Sequence, residues 1–538
     1  MRETSRTPPR RVVPALALGI ALGASGAAAQ EGPAESFGET LDVVVVEVEA
    51  VVTDASGRRV PGLGREDFRL VVDGVETAIE YFTEVREGRA VPPAAEGAIA
   101  AEPEAAAPGD PVATNYLLFV DDYFSIGKRR NWALEQVAGE LGALPPQDRV
   151  AIVGFDGEVL EVLTAWTSSR ERVRAALDQA AERRAFGLLR AHERARRGDQ
   201  GPWSDAVTQR EELDRVLSAI RSTLRVVPRP EGRKVLLLLA GSWPTRMTVP
   251  DWPDSGADSR PLPTGASDQA RFDDLAMTVS LVDTANILGY TVYPVDVHGI
   301  RAAEGLQQEE DKPYTSGYTY ELFRHGTLRG VAASTGGRAL LFADRLRPLE
   351  AVVADTRTYY SLGFTPRLAK DGSRHEIRVE VRRPGHQVRS RGGFRDFSQG
   401  AELDQLAASA LQLGAGSAPA GPAAEEPLAV ELGEPRRQAR GTMEVPFRLE
   451  LPWSEVTRLP SPRGLVTRLQ IRIAVRDREG ALSEVARVPL DLILTGEPRG
   501  VLHWSADLTL RRERHDLVVS VYDALSGEVM TRVVRVEP

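Results

Sequence analysis

The 538-residue sequence contains no cysteine. Disulfides, thiolate nucleophiles, Cys-ligated zinc and iron–sulfur clusters are excluded together. Histidine is scarce, at 7, and no two fall at His-x-x-x-His or His-Glu-x-x-His spacing, so the common zinc motifs are missing. No Gly-x-Ser-x-Gly elbow and no phosphate-cradling Gly-Lys-Ser/Thr loop occurs. Beyond the N-terminal region, no stretch reaches the ~18 uninterrupted apolar residues of a membrane-spanning helix. A basic surplus is lacking too. Asp+Glu number 77 against 67 Lys+Arg, a net charge of −10, which argues against nucleic acid as a partner. There is no internal repeat at a fixed period.

What is present is ordinary globular composition, 42% hydrophobic and 27% charged. At roughly 150 residues per domain, this length suggests three or four domains. The start is unusual. Arg2, Arg6, Arg10 and Arg11 precede the apolar run Val12–Gly23, and Ala27 and Ala29 place small residues at −3 and −1 of a cut before Gln30. Residues 1–29 therefore read as a signal peptide, and the mature chain as exported, periplasmic or extracellular, without membrane insertion.

Residues 39–86 read as a small all-β module, with Asp73-Gly74 as a hairpin turn. Residues 87–112 are Ala, Pro, Glu and Gly with few large apolar side chains, and read as a linker. Residues 113–366 alternate apolar runs (Tyr116–Val120, Arg149–Phe155, Lys234–Leu239, Tyr290–Val297) with helical patterns. That order predicts an α/β class with a mostly parallel, doubly wound sheet. Residues 367–400 read as a β-hairpin extension, 401–427 as a short helix and linker, and 428–538 as a β-sandwich of alternating strands.

The motifs resemble those of the exported bacterial von Willebrand factor A-related proteins, acidobacterial type. They are Val51-Val52-Thr53-Asp54 through Glu66-Asp67-Phe68 and Asp73-Gly74; Gln147-Asp148-Arg149-Val150-Ala151, Tyr293-Pro294-Val295-Asp296 and Ser334-Thr335-Gly336-Gly337-Arg338; then Tyr359-Tyr360-Ser361-Leu362-Gly363-Phe364 and Val381-Arg382-Arg383-Pro384-Gly385. The resemblance covers about 350 residues and leaves 428–538 outside. It implies a central Rossmann-type A domain with a metal-ion-dependent adhesion site above its first strand. Asp121-Asp122-Tyr123-Phe124-Ser125 keeps the first Asp and last Ser of the family's Asp-x-Ser-x-Ser, with Tyr123 at the first Ser. Where a second Asp belongs, the sequence has Ala240-Gly241. Ser242 and Asp296 are further oxygen donors.

Asp121, Ser125 and Asp122 are thus the candidate metal ligands, for weakly held Mg²⁺. The alternative is that Asp121 and Ser125 only cap the following helix. Arg183–Arg197 reads as a solvated helix face, with contact to an acidic partner as the alternative. Trp243 and Trp252 are candidate partner anchors, or pack the Pro-rich insertion onto its own domain. The expected function is non-enzymatic binding of a protein partner, of adhesion type. The alternatives are a metal-dependent hydrolase using Asp121 and Asp122, and a structural component of the cell envelope.

Overall fold

A computed structural model describes residues 17–19, 45–91, 109–185, 202–227, 230–241, 243, 278–297, 315–341, 347–366, 371–396, 398–413, 427–438, 441–461 and 463–538. The chain divides into two units. One comprises 41–398 with 419–421, the other 1–40, 399–418 and 422–538.

In the first unit a five-stranded sheet runs in the order Tyr290–Asp296, Arg233–Ala240, Thr114–Asp121, Arg149–Phe155, Leu160–Thr167. The first four strands are parallel and the last is antiparallel. Every residue of Thr114–Asp121 is buried, which is why its apolar residues run on instead of alternating. On one face Tyr116, Leu118, Val120, Leu237 and Leu239 meet Leu134, Val137, Val173 and Leu177. The last four come from helices Gly127–Gly139 and Arg170–Glu182. Each such Leu or Val contributes about 1.5–3 kcal/mol by burial. The Arg170 helix starts where Ser169 accepts the Arg172 amide at 3.3 Å.

The same unit holds two antiparallel sheets. His386–Ser390, Val46–Asp54, Tyr359–Phe364, Tyr81–Arg86 and Arg89–Val91 form one; Gly393–Arg395, Arg374–Val381, Phe68–Val72 and Val75–Thr77 form the other. Strands read from the sequence as an N-terminal module and a late hairpin extension therefore pair with each other. They share a core of Val48, Val52, Phe68, Leu70, Leu362, Phe364 and Ile377. Asp73 and Gly74 both take positive φ (51° and 80°) and join Val72 to Val75 in a tight hairpin.

In the second unit, Gln399–Leu413 is a helix, and Asp404 on it accepts from Arg472 at 3.1 Å. Two sheets follow. One runs Val501–Arg511, Thr442–Pro452, Ala429–Leu432; the other Gly464–Asp477, His515–Asp523, Val529–Val536, with Ala486–Leu494 also on Gly464–Asp477. Inward residues alternate along Thr442–Pro452, with Met443, Val445, Phe447 and Leu449 in the core.

The α/β class expected for the chain is overturned. The structure is 45% strand and 26% helix, mostly in antiparallel sheets, and is more β-rich than a doubly wound A-type core. The reason is the number of one-sided strands. The segments read as β at 39–86, 367–400 and 428–538 supply most of them, and together they outweigh the one parallel core from which the class was taken. A further helix is described over 278–287. Most of both Ala/Pro-rich linkers lies outside the described residues.

Candidate functional site

The two ends of the mixed sheet are differently occupied. At the amino end, ion pairs join it to the antiparallel sheets. Arg233 reaches Glu49 at 2.7 Å and lies 4.1 Å over the Tyr359 ring. Asp355 takes Arg59, Arg389 and the hydroxyl of Tyr293 (2.7 Å). The carboxyl end is where strands hand over to loops, and it carries the candidate ligands.

Asp121 closes its strand and is fully buried. Oδ1 accepts the amides of Tyr123 and Phe124, both at 3.0 Å, and Oδ2 accepts the Trp243 indole N–H at 3.1 Å. Burial pushes its carboxyl up to about 7, against the pull of these hydrogen bonds and with a further push from Asp122. Asp122 points elsewhere. Arg130 and Arg183 both pair with it, the latter through Nε at 2.7 Å. Burial raises its carboxyl pKa while the two guanidiniums oppose that rise. Ser125 donates its hydroxyl to the Asp121 carbonyl.

Arg130 is itself nearly inaccessible, at 1%. It also donates to the carbonyls of Ala181 (3.2 Å) and Arg183 (2.7 Å), so it ties one helix to the end of the next. Arg183 lies across Gly154, where a Cβ would stand 2.8 Å from its Nε. Its other arm reaches Glu161. Gly157, at φ +100°, brings the 156–159 turn against Tyr123, where a Cβ would fall 2.3 Å from the ring. Tyr123 fills the space that a short serine would leave open, edge-on to Phe124 at 5.0 Å.

Asp296 ends the neighbouring parallel strand in register with Ala240. The Leu239/Val120 pair places Asp121 one step further along the same row. Asp121, Ala240 and Asp296 therefore share one row on adjacent strands, about 10 Å from first to last. Asp296 does not turn to Asp121; its Oδ2 lies 2.9 Å from His325 Nε2, both residues buried. The structure thus brings Asp121 and Ser125 together and directs Asp122 and Asp296 to other partners. Ser242, Trp252 and 186–197 lie outside the described residues. Among the described residues no group of three or more His, Asp or Glu is arranged to hold a metal ion.

Trp243 is fully buried, so the exposed-anchor reading of it is corrected: its N–H serves Asp121. Arg130, Arg183 and His325 were not singled out as site partners. The only signal was an Arg eight residues after Asp122, on the helix that the Asp-Asp turn starts.

No family model and no curated protein matches the chain. Among solved structures, a Northeast Structural Genomics Consortium target is 11% identical over 21% of this chain and 83% of its own, with a TM-score of 0.13. A Bacteroides uniformis beta-glucuronidase is 8% identical over 33% of this chain and 18% of its own, at 0.14. Likeness at this level carries no argument. No helix among the described residues is long and apolar enough to cross a membrane.

Proposed function

We propose that the chain is an exported, non-enzymatic protein-binding protein of the kind the von Willebrand factor A-related resemblance implies. Its partner is engaged at the carboxyl end of the mixed sheet, where Asp121 and Asp122 serve as internal braces. The observation that carries this reading is the double arginine lock on the buried Asp122. A general acid or base must exchange its proton with substrate, and the Asp122 carboxylate is held by Arg130 and Arg183. Asp121 already accepts three N–H groups. A hydrolase built on this pair would have to break the brace in every turnover.

Support for a partner surface comes from Ile126, 43% exposed, and Val159, 55% exposed, on the loops of this end. Lys128 and Glu158 beside them are exposed too. Apolar side chains rimmed by charge are what protein partners bury. Mg²⁺ is at most a weak ligand of Asp121 and Ser125. Trp243 must first withdraw its N–H, and one carboxylate with one hydroxyl supplies little charge, so affinity is no better than about millimolar. Export is proposed on the basic start, the apolar run and Ala27/Ala29.

The test is capture of partners from an exported protein fraction by the full chain, with and without EDTA. Capture that survives EDTA and is lost with Ile126→Glu plus Val159→Glu supports the reading. Hydrolytic turnover that Asp121→Asn abolishes overturns it. Micromolar Mg²⁺ or Mn²⁺ binding by calorimetry overturns the metal part.

A further inference from the structure

The C-terminal sandwich has one open side. Its second sheet has four long strands in the order Val529–Val536, His515–Asp523, Gly464–Asp477, Ala486–Leu494. The first sheet has two long strands, Thr442–Pro452 and Val501–Arg511, with the short Ala429–Leu432 and Arg436–Arg437 on Thr442–Pro452 and Ala17–Gly19 on Val501–Arg511. Ala429–Leu432 lies against Val529–Val536, so the two sheets are matched from that side. Among the described residues, Ala486–Leu494 has no long strand facing it. Its Ala486, Val488, Leu490 and Leu492 touch the core and yet stay only partly buried. Leu508 and Leu510, on the adjacent strand of the facing sheet, are fully or almost fully buried.

The vacant position is taken in part by Ala17–Gly19, which pairs antiparallel with Val501–Arg511: Ala17 with Thr509, Leu18 with Leu508, Gly19 with Asp507. Three residues cannot span a nine-residue strand. The Val501–Arg511 edge has one charge in its middle, Asp507, and is otherwise open to pairing. It contains no proline and holds unbroken register with Thr442–Pro452 over its whole length. Among the described residues, the segment seated on it comes from the apolar run that the sequence marks for removal.

We propose that this side of the sandwich is a strand-acceptor site. It takes an extended, uncharged segment of another protein, apolar at alternate residues, antiparallel to Val501–Arg511 and over the Ala486–Leu494 row. Backbone hydrogen bonds to the free edge would give affinity, and the apolar row would select the side chains. Ala17–Gly19 occupies the site in the uncleaved chain, and its departure opens it. The site lies in the C-terminal unit and does not depend on the partner reading above.

The test compares the full chain with its Leu18→Pro variant, in which a ring replaces a backbone donor of the covering strand. The probe is a fluorescent peptide with the sequence of Val12–Gly23. The full chain is expected to show slow amide exchange around Asp507–Thr509 and no peptide binding. The variant is expected to exchange there at least about tenfold faster, to bind the peptide, and to regain protection when bound. Equal exchange in the two chains, or no peptide binding by the variant, overturns the proposal. Dimerisation of the variant that restores the protection also overturns it, because the occupant would then be a second copy. Adding Val488→Thr should weaken peptide binding while protection of Thr442–Pro452 is unchanged; unchanged binding overturns the role of the apolar row. Leu490→Asp is the stronger form of the same change.

Discussion

Asp122 and Asp355 each sit between two arginines at opposite ends of one sheet, yet they do different things. The partners of Asp122 are eight and 61 residues away, whereas those of Asp355 are 34 (Arg389) and 296 (Arg59) away. At the amino end Arg59 thus staples a distant segment, while both partners of Asp122 belong to one local corner. Exposure differs as well. Arg130 is 1% exposed, while the side chains of Arg59 and Arg389 are each 25% exposed. Burial opposes ionisation at both carboxylates. It prevails at Asp122, whereas Arg389, Arg59 and the Tyr293 hydroxyl hold Asp355 below its ordinary range. The lesson is that identical ion-pair chemistry differs in consequence with the water its guanidiniums can reach.

The largest expected effect follows from that difference. Asp122→Ala leaves Arg130 buried and unpaired, which costs about 3–5 kcal/mol. Asp355→Ala leaves arginines that can turn to water, at a cost of about 1–3 kcal/mol. Denaturant unfolding of both variants checks the order. Equal losses would break the comparison.

The two ends also answer pH in opposite directions. Asp121 titrates at about 7 in the folded chain, above its ordinary ~3.9. The folded state therefore holds an extra proton between those values. This contribution is whole below about pH 4 and is lost as pH rises through 7, by up to about 1.4 kcal/mol per unit. Asp355 is depressed, so its contribution is present above about pH 4 and is lost on acidification. Amide exchange should loosen around Asp121 from pH 5 to 8 and around Asp355 only at lower pH. Asp121→Asn should flatten the first dependence and leave the second intact.

A smaller effect belongs to the turns. Gly157→Ala puts a methyl into the Tyr123 ring at φ +100°, and should cost about 1–3 kcal/mol. Gly88, at the amino end, has φ +76° and nothing nearer than Arg357 Nε at 3.8 Å. Gly88→Ala should cost only about 1 kcal/mol of backbone strain. Thermal unfolding distinguishes them. A smaller loss for Gly157→Ala would mean that the Tyr123 corner is loosely packed.

The sequence made some of this legible. Tyr116–Val120 and Lys234–Leu239 announced buried strands because their neighbours hide both faces. Asp73-Gly74 announced its hairpin because few residue pairs accept its dihedrals. The strands Phe68–Val72 and Arg374–Val381 were legible as strands, but not that they pair with each other across some 300 residues. No local pattern encodes that pairing. At the site, Asp121 and Ser125 were visible as a motif fragment. The partners that decide their chemistry were not, since Arg130, Arg183 and Trp243 meet them only through helix docking and chain return.

The smallest effect on stability should carry the largest effect on function. Ile126 and Val159 stand on loops of the carboxyl end with about half their surface in water. Neither belongs to the apolar core of the sheet. Replacing either by Glu removes no buried contact and should change unfolding free energy by no more than about 0.5 kcal/mol. A partner that buries them must desolvate the new carboxylates without a counter-charge placed for them, which costs several kcal/mol. Capture by the double variant should therefore fall at least about a hundredfold, with unfolding unchanged. Glu substitution of Val75, 67% exposed on the Asp73-Gly74 hairpin, is the matched control in the antiparallel part of the unit. If Val75→Glu abolishes capture and the Ile126/Val159 pair does not, binding belongs to the antiparallel sheets, and the carboxyl end is a brace alone.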